Sequence, residues 1–206
     1  MSIVLPTYNE RNAIGSLLDD LLAVARADRL DVELIVIDDS TPDGTASAVA
    51  ERFGSHPAVR LHQRAERGLA GAVRRGVELA RGDLLLFMDT DGNHDPAHVP
   101  ALVAAAAHAD VVVGSRCRPG GGMPTAWFRE TCSRLFNRWA CGALALPVTD
   151  CLSGFLCLHR RVLEEADADA IFVGYGGYAI HLLYWAARRR LRLAEAPVVY
   201  GARRGG

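Results

Sequence analysis

The sequence contains no lysine: all 23 of its basic residues are arginine. A lineage or codon bias accounts for that most simply. It still has a local consequence, because a planar guanidinium grips phosphate through two parallel hydrogen bonds and an ammonium does not. No run of about 18 apolar residues occurs, so no segment reads as a membrane-spanning helix. The chain does not open on a basic segment followed by a long apolar one, so no secretory signal is visible. Cys-x-x-Cys pairs are missing as well. The five cysteines lie between Cys117 and Cys157, an odd count without ligand spacing. That pattern predicts small core residues in a reducing, cytoplasmic compartment rather than disulfides or zinc. No Gly-x-Gly-x-x-Gly follows the first apolar run, which argues against a dinucleotide site. Nor does a Gly-rich basic loop stand there, as a nucleotidyltransferase would carry. Charged residues make up only 23% and the net charge is −1, which excludes a disordered chain and a general nucleic-acid binder.

What is present suits one domain. The 206 residues are half apolar, enough to bury a core. The first half alternates strand-like and helix-like segments. Residues 2–5 form an apolar run that stops at Pro6, and a helix starts at Asn9 or Glu10 with Ala13, Ile14, Leu17, Leu18, Leu21 and Leu22 at helical spacing. Strands are predicted over 32–37, 59–62 and 84–88, and helices from Thr45 to Phe53 and over 69–80. Farther on, the pattern predicts helices over 100–107, 128–144 and 177–191, with another starting over 162–166. It also predicts strands at 110–113 and 198–200, and a mobile Gly-rich loop over 118–124. The β-α-β rhythm implies an α/β fold, a Rossmann-like, mostly parallel sheet flanked by helices. Such sheets bind ligands just past their strand ends. Three places qualify: Pro6 to Glu10, Asp38-Asp39, and Asp89-Thr90-Asp91.

Asp89 and Asp91 stand at i and i+2 on a strand end. Where the chain bends, both carboxylates point to one side and can hold Mg²⁺ or Mn²⁺, with substrate phosphates completing the shell; a solvated loop is the alternative. Asp39 can accept hydrogen bonds from a nucleobase or ribose, Tyr8 can lie against a base and Glu10 can bind ribose hydroxyls. The structural alternatives there are a turn capped by Asp43 or Thr45 and a helix capped by Asn9. The helix predicted over 128–144 carries Arg129, Arg134 and Arg138 with Leu135, Phe136 and Trp139. It fits a membrane interface and a core-facing packing equally, as does the later segment with Tyr184 and Trp185.

In this order and on these strand ends, the three motifs resemble family 2 glycosyltransferases of GT-A fold. Gly114-Ser115-Arg116, Gly120-Gly121-Gly122, Trp127, Arg129, Ser133-Arg134 and Asn137 are similar to the dolichyl/polyprenyl-phosphate mannosyltransferase branch. So are Asp150 to Phe155 and Pro197 to Tyr200 followed by Arg203. The resemblance implies a single GT-A domain, with residues 1–95 binding a nucleotide sugar and 96–206 the acceptor. It implies an inverting, metal-dependent transfer of mannose from GDP-mannose to a polyprenyl phosphate, at a membrane surface reached peripherally. Pro6, Tyr8, Glu10, Asp39, Arg67 and Arg203 would then bind the donor, Asp89 and Asp91 the metal, and Arg116, Arg129, Ser133 and Arg134 the acceptor phosphate. Arg116 and Arg129 join the two aspartates as the groups expected to carry catalysis. The sequence departs from that branch at Leu156, where an arginine is usual, and at His181, where a glutamate is usual. A satisfied structural histidine is the expectation for His181.

An ionised phosphate is already a nucleophile and needs positioning rather than a base. A hydroxyl acceptor on a small metabolite or peptide would need one, and Asp150, Asp95 and His94 are the candidates. A weakly active subunit that binds nucleotide or lipid within a membrane complex is the reading from another class.

Overall fold

The computed structural model describes residues 1–123 and 127–201, the side chains of 127–129 excepted. Strands β1 (Ser2–Thr7), β2 (Glu33–Asp38), β3 (Val59–Gln63), β4 (Leu84–Phe87), β5 (Val111–Ser115), β6 (Leu156–His159) and β7 (Leu193–Pro197) form one sheet in the order β3-β2-β1-β4-β6-β5-β7. All pairings are parallel except those of β6, which runs antiparallel to β4 and to β5. Its helices are α1 (Arg11–Ala27), α2 (Thr45–Phe53), α3 (Leu69–Leu79), α4 (Val99–Ala106), α5 (Trp127–Ala143), α6 (Arg160–Glu164), α7 (Ala168–Ile171) and α8 (Tyr178–Arg188).

The strands are apolar on both sides because both faces are covered. Ile3, Leu5, Leu34, Val36 and Leu86 pack with Ile14, Leu18 and Val49 of α1 and α2 and Leu102 of α4. The alternate residues Val4, Ile35, Ile37, Leu85 and Phe87 pack on the other face with Val73 of α3 and Leu182 of α8. Helix α3 lies close to the sheet: a Cβ at Gly76 would fall 2.2 Å from Cγ1 of Val4, so no larger residue fits without movement.

The structure corrects four expectations. Strand β1 does not stop at Pro6 but continues to Thr7. The Met88 N–H donates to Val4 O, so this side of β1 faces β4, and β4 ends at Phe87. Pro6 lies beyond that partner, so its missing N–H breaks no ladder bond. The last strand is residues 193–197, not 198–200: β7 pairs with β5 only as far as Ser115, and Val199 makes an isolated bridge to Gly122. Strand β6, expected nowhere, occupies the apolar run after Phe155. The segment over 118–124, expected to be mobile, is hydrogen-bonded where it is described: Gly121 N–H donates to Arg118 O, Gly122 N–H to Val198 O, and Tyr200 N–H to Gly122 O. Pro124 lies outside the described residues.

Candidate functional site

The parallel neighbours β2, β1 and β4 end on one edge of the sheet, and the chain is turned sharply there. Asn9, just after Tyr8, has φ 60° and Ser40, just after Asp39, has φ 50°. Left-handed conformations cost a non-glycine residue about 1 kcal/mol or more, so each is held from outside. Ser40 Oγ donates to Arg64 O at 2.5 Å, and Glu10 N–H donates to Thr45 Oγ1 at 3.1 Å. Glu10, not Asn9, occupies the N-cap of α1. The N-cap of α2 is Gly44, at φ 84° and without a side-chain cap bond, so neither Asp43 nor Thr45 is the cap expected there; Asp43 Oδ1 accepts instead from both N–H and Oγ1 of Thr45, the first residue of the helix. Burial is the largest single influence and pushes the Asp43 carboxyl up, but those bonds and one from the Arg11 N–H together bring it down to about 2.

The two adjacent aspartates separate into different roles. Asp38 is fully buried and accepts from Thr7 and Thr41, which makes it part of the scaffold. Asp39 accepts from Arg64 Nη1 at 3.0 Å and from the Gly68 N–H at 2.7 Å. Burial pushes its carboxyl above the usual value, although both of these contacts oppose the rise. Arg67 lies 3.7 Å over the Tyr8 ring, a cation–π contact. Pro6, Tyr8, Glu10, Asp39, Arg67, Asp89 and Asp91 all line one cavity of about 230 Å³. Every donor or metal candidate read from the sequence therefore meets there except Arg203, which lies outside the described residues.

The loop after β4 is tied to β1 by Thr90 Oγ1, which donates to Pro6 O at 3.0 Å. Asp91 Oδ1 and Oδ2 accept from the backbone N–H and the Nδ2 of Asn93. The Asp89 N–H donates to Nδ1 of His94, a ring that is 1% exposed. Burial lowers the His94 pKa, and Asp89 and Asp91 oppose that only in part. A Cβ at Gly154 would sit 3.6 Å from Asp89 Oδ1, so this glycine keeps space open beside the carboxylate. Among the described residues no group of three histidine, cysteine or acidic side chains could cage a metal ion. A pair of carboxylates beside an open cavity suits a hard cation that keeps water or phosphate oxygens as its other ligands.

The acceptor candidates do not converge in the same way. Arg116 is held by Asp150, Nε to Oδ2 at 2.8 Å and Nη2 to Oδ1 at 2.7 Å, and its guanidinium lies 4.8 Å over the Tyr200 ring. Arg134 pairs with Glu130 on the exposed side of α5 and lines a second cavity, of about 550 Å³, with Arg138, Cys117 and Cys141. Ser133 is half-buried on the same helix. Arg129 belongs to α5, but its side chain lies outside the described residues.

The base candidates are corrected by their surroundings. Asp150 is wholly buried and accepts from Arg116 and from the Leu152 N–H, so it does not face an acceptor hydroxyl. Asp95 caps a short 3₁₀ turn through the Ala97 N–H. His94 has its Nδ1 engaged by the Asp89 backbone. His181 Nδ1 bonds with Ile171 O at 3.2 Å, the structural role expected of it.

Helix α5 packs one face on the core and leaves an apolar group exposed on the other. Asn137, Ala140 and Cys141 are buried, whereas Leu135, Phe136 and Trp139 are 62%, 52% and 66% exposed. In α8, Leu182 and Leu183 are buried and Tyr184 is exposed. No helix among the described residues is long and apolar enough to cross a membrane.

Sequence reasoning missed Arg64 and Tyr175, and it named Tyr200 only within a motif, without a role. Arg64 is brought to Asp39 by the β2–β3 register, with Asp38 opposite Gln63. Tyr175 reaches the first cavity from a loop more than a hundred residues away from β1, and no local signal marks it.

The chain matches the model of the family described as "Glycosyl transferase family 2" over residues 2–166. It is 35% identical over 211 residues to an undecaprenyl-phosphate mannosyltransferase of Micrococcus luteus, across 98% of this chain and 84% of that protein. It is 30% identical to a dolichol-phosphate mannosyltransferase of Pyrococcus furiosus, across 100% of this chain and 58% of that one. Among solved structures, glucosyl-3-phosphoglycerate synthase from Mycobacterium tuberculosis, in complex with Mn²⁺, UDP and glucosyl-3-phosphoglycerate, superposes with a TM-score of 0.70 at 25% identity. That match covers 100% of this chain and 71% of the other. The architecture is the GT-A fold.

Proposed function

The chain belongs to glycosyl transferase family 2, and from that premise we propose that it moves mannose from GDP-mannose to a polyprenyl phosphate. The observation that carries this reading is the single cavity lined by Tyr8, Asp39, Arg67, Asp89 and Asp91, in a chain 35% identical to an undecaprenyl-phosphate mannosyltransferase. Tyr8 and Pro6 form an apolar wall for the base, Asp39 accepts from base or ribose N–H and O–H groups, and Glu10 accepts from the ribose. Arg67 meets the diphosphate. Residues 1–95 supply most of the donor site and 96–206 most of the acceptor site. Asp89 and Asp91 would hold Mg²⁺ or Mn²⁺, which supplies positive charge against the leaving diphosphate.

An oxygen of the acceptor phosphate attacks the anomeric carbon, the bond from that carbon to the diphosphate breaks, and GDP leaves with its electron pair. Inversion at the sugar follows from attack on the opposite face. A phosphate monoester is ionised at neutral pH and needs no base. This agrees with Asp150 being engaged by Arg116 and weighs against a hydroxyl acceptor. Arg116, Arg129, Arg134 and Ser133 bring the acceptor phosphate to the donor, and Arg203 closes over the donor phosphates. The exposed Leu135, Phe136 and Trp139, beside Arg134 and Arg138, support peripheral contact of α5 with an anionic membrane on its cytoplasmic face.

The test is transfer of label from GDP-mannose into the organic phase with a short polyprenyl phosphate, with and without Mn²⁺, and with Asp91→Ala as the blank. Metal-dependent organic label is the expected result. Label from UDP-glucose instead would replace the donor, and label in the Asp91→Ala variant with metal chelated would remove the metal role.

A further inference from the structure

His94 is buried among aromatic rings, stacked on Phe155 at 4.7 Å with an interplanar angle of 13° and meeting Tyr200 edge-on at 4.7 Å. Its Nδ1 accepts the Asp89 backbone N–H at 2.9 Å. An accepting nitrogen carries no proton, so the neutral ring carries its proton on Nε2. Among the described residues that Nε2–H has no hydrogen-bond partner, although the site is fully buried. An unmet buried donor costs about 1–3 kcal/mol, and native proteins rarely keep one without a reason. Oδ2 of Asp89 lies 3.7 Å from Nε2, too long for a hydrogen bond. The ring is fixed by its two aromatic neighbours, whereas the Asp89 side chain is 35% exposed and can turn. A movement of about 1 Å by the carboxylate brings Oδ2 to hydrogen-bond distance.

We propose that His94 is a positioning residue for Asp89, holding its main chain through Nδ1 and, once the carboxylate turns to a divalent cation, its Oδ2 through Nε2–H. This rests on the reading that Asp89 holds the cation. The two carboxylates of the loop are then oriented by different means: Asp91 by Asn93, already engaged, and Asp89 by His94, engaged when the cation arrives. Partners of this kind behind a metal ligand typically carry about 10- to 100-fold in metal affinity.

The test has two arms, both on the full chain. In the first, the imidazole ¹⁵N signals of the unsubstituted protein are followed while Mg²⁺ is added in the presence of GDP. The expected result is the Nε2–H tautomer at the start and a downfield move of that proton on Mg²⁺ saturation. An Nδ1–H tautomer, or an Nε2–H that does not respond, overturns the proposal, and this arm needs no variant to fold. In the second, Mn²⁺ binding with GDP is measured by electron paramagnetic resonance for the unsubstituted chain, His94→Asn and His94→Gln. Asparagine keeps an acceptor for the Asp89 N–H and lacks the second donor. It is expected to weaken Mn²⁺ about tenfold or more with metal-free GDP affinity unchanged. Glutamine, whose amide reaches the Nε2 position, recovers part of the loss. Mn²⁺ affinities within twofold for all three overturn the positioning role alone. Failure of the unsubstituted chain to bind Mn²⁺ overturns the cation reading and this one with it.

Discussion

The edge of the sheet formed by β2, β1 and β4 brings seven candidate residues to one cavity, whereas in the region around β5, β6 and α5 the described acceptor candidates, Arg116, Ser133 and Arg134, are held apart. At the parallel edge most candidates stand just past a strand end, and adjacent parallel strands must finish side by side. Tyr8, Asp39 and Asp89 therefore meet whatever the rest of the chain does. In the second region the candidates sit on a turn and a helix, and antiparallel β6 lies between β4 and β5. Arg116 turns inward to Asp150, while Arg134 stays outside against Glu130. A site built from strand ends is fixed by topology; one built from a helix face depends on what that helix packs against.

The comparison can be broken most directly at the metal loop. Asp91→Ala is expected to lower transfer about 10³-fold, the scale of removing one group that stabilises charge in a transition state. The label assay measures this, and thermal melting should show little change. Asp150→Ala should instead act on stability, because it strands a buried guanidinium. A loss of about 3–5 kcal/mol is expected, read from urea unfolding, and Asp150→Asn should retain part of it. If Asp150→Ala left stability untouched and removed activity, Asp150 would act in the acceptor site itself rather than as the buried partner that holds Arg116. Arg67→Ala should raise the donor KM about 10- to 100-fold, the scale of one charge-assisted hydrogen bond to the diphosphate, about 1.5–3 kcal/mol, with kcat less affected. Arg134→Ala should barely move stability, since an exposed i,i+4 pair is worth about 0.3–0.5 kcal/mol. Its effect belongs in the KM for polyprenyl phosphate and not in nucleotide affinity; equal loss of both would assign it to the donor.

A separate expected effect, read in stability alone, is an acid limb. The Asp110 carboxyl is held at about 2 by the N–H and guanidinium of Arg192 and by Arg161, against burial. A folded value below the unfolded value means the contribution is present above pH of about 4 and fades as pH falls toward 2. Denaturant midpoints for Asp110→Asn should therefore lie below those of the parent at pH 6 and converge with them as pH falls to 2.

Much of this was legible beforehand. The helix over Thr45 to Phe53 was legible from the Pro-Asp-Gly turn before it, and the structure has the same bounds, with Gly44 as the N-cap. The donor candidates were legible because they abut apolar runs of strand length. Strand β6 was not: Leu156-Cys157-Leu158 is too short to declare its partner, and its direction is set by the chain returning between β4 and β5. Strand β7 was misplaced by a few residues because Leu193 to Pro197 has little alternation and is ordered by pairing with β5. Arg64 was overlooked because a lone arginine after a strand is usually a solvated charge, and only the sheet register brings it to Asp39.

The sequence by itself determined the alternating α/β order, the two covered faces of the sheet and the three strand ends where the candidate donor and metal residues stand. Hydrophobic period and local capping act over a few residues, and those features need nothing more. The tertiary structure alone decided that Arg116 answers Asp150, that Tyr175 joins the first cavity and that the His94 ring is buried against Asp89. Each of those depends on residues far apart in sequence being packed together, where burial makes an unpaired charge or donor costly and selects its partner.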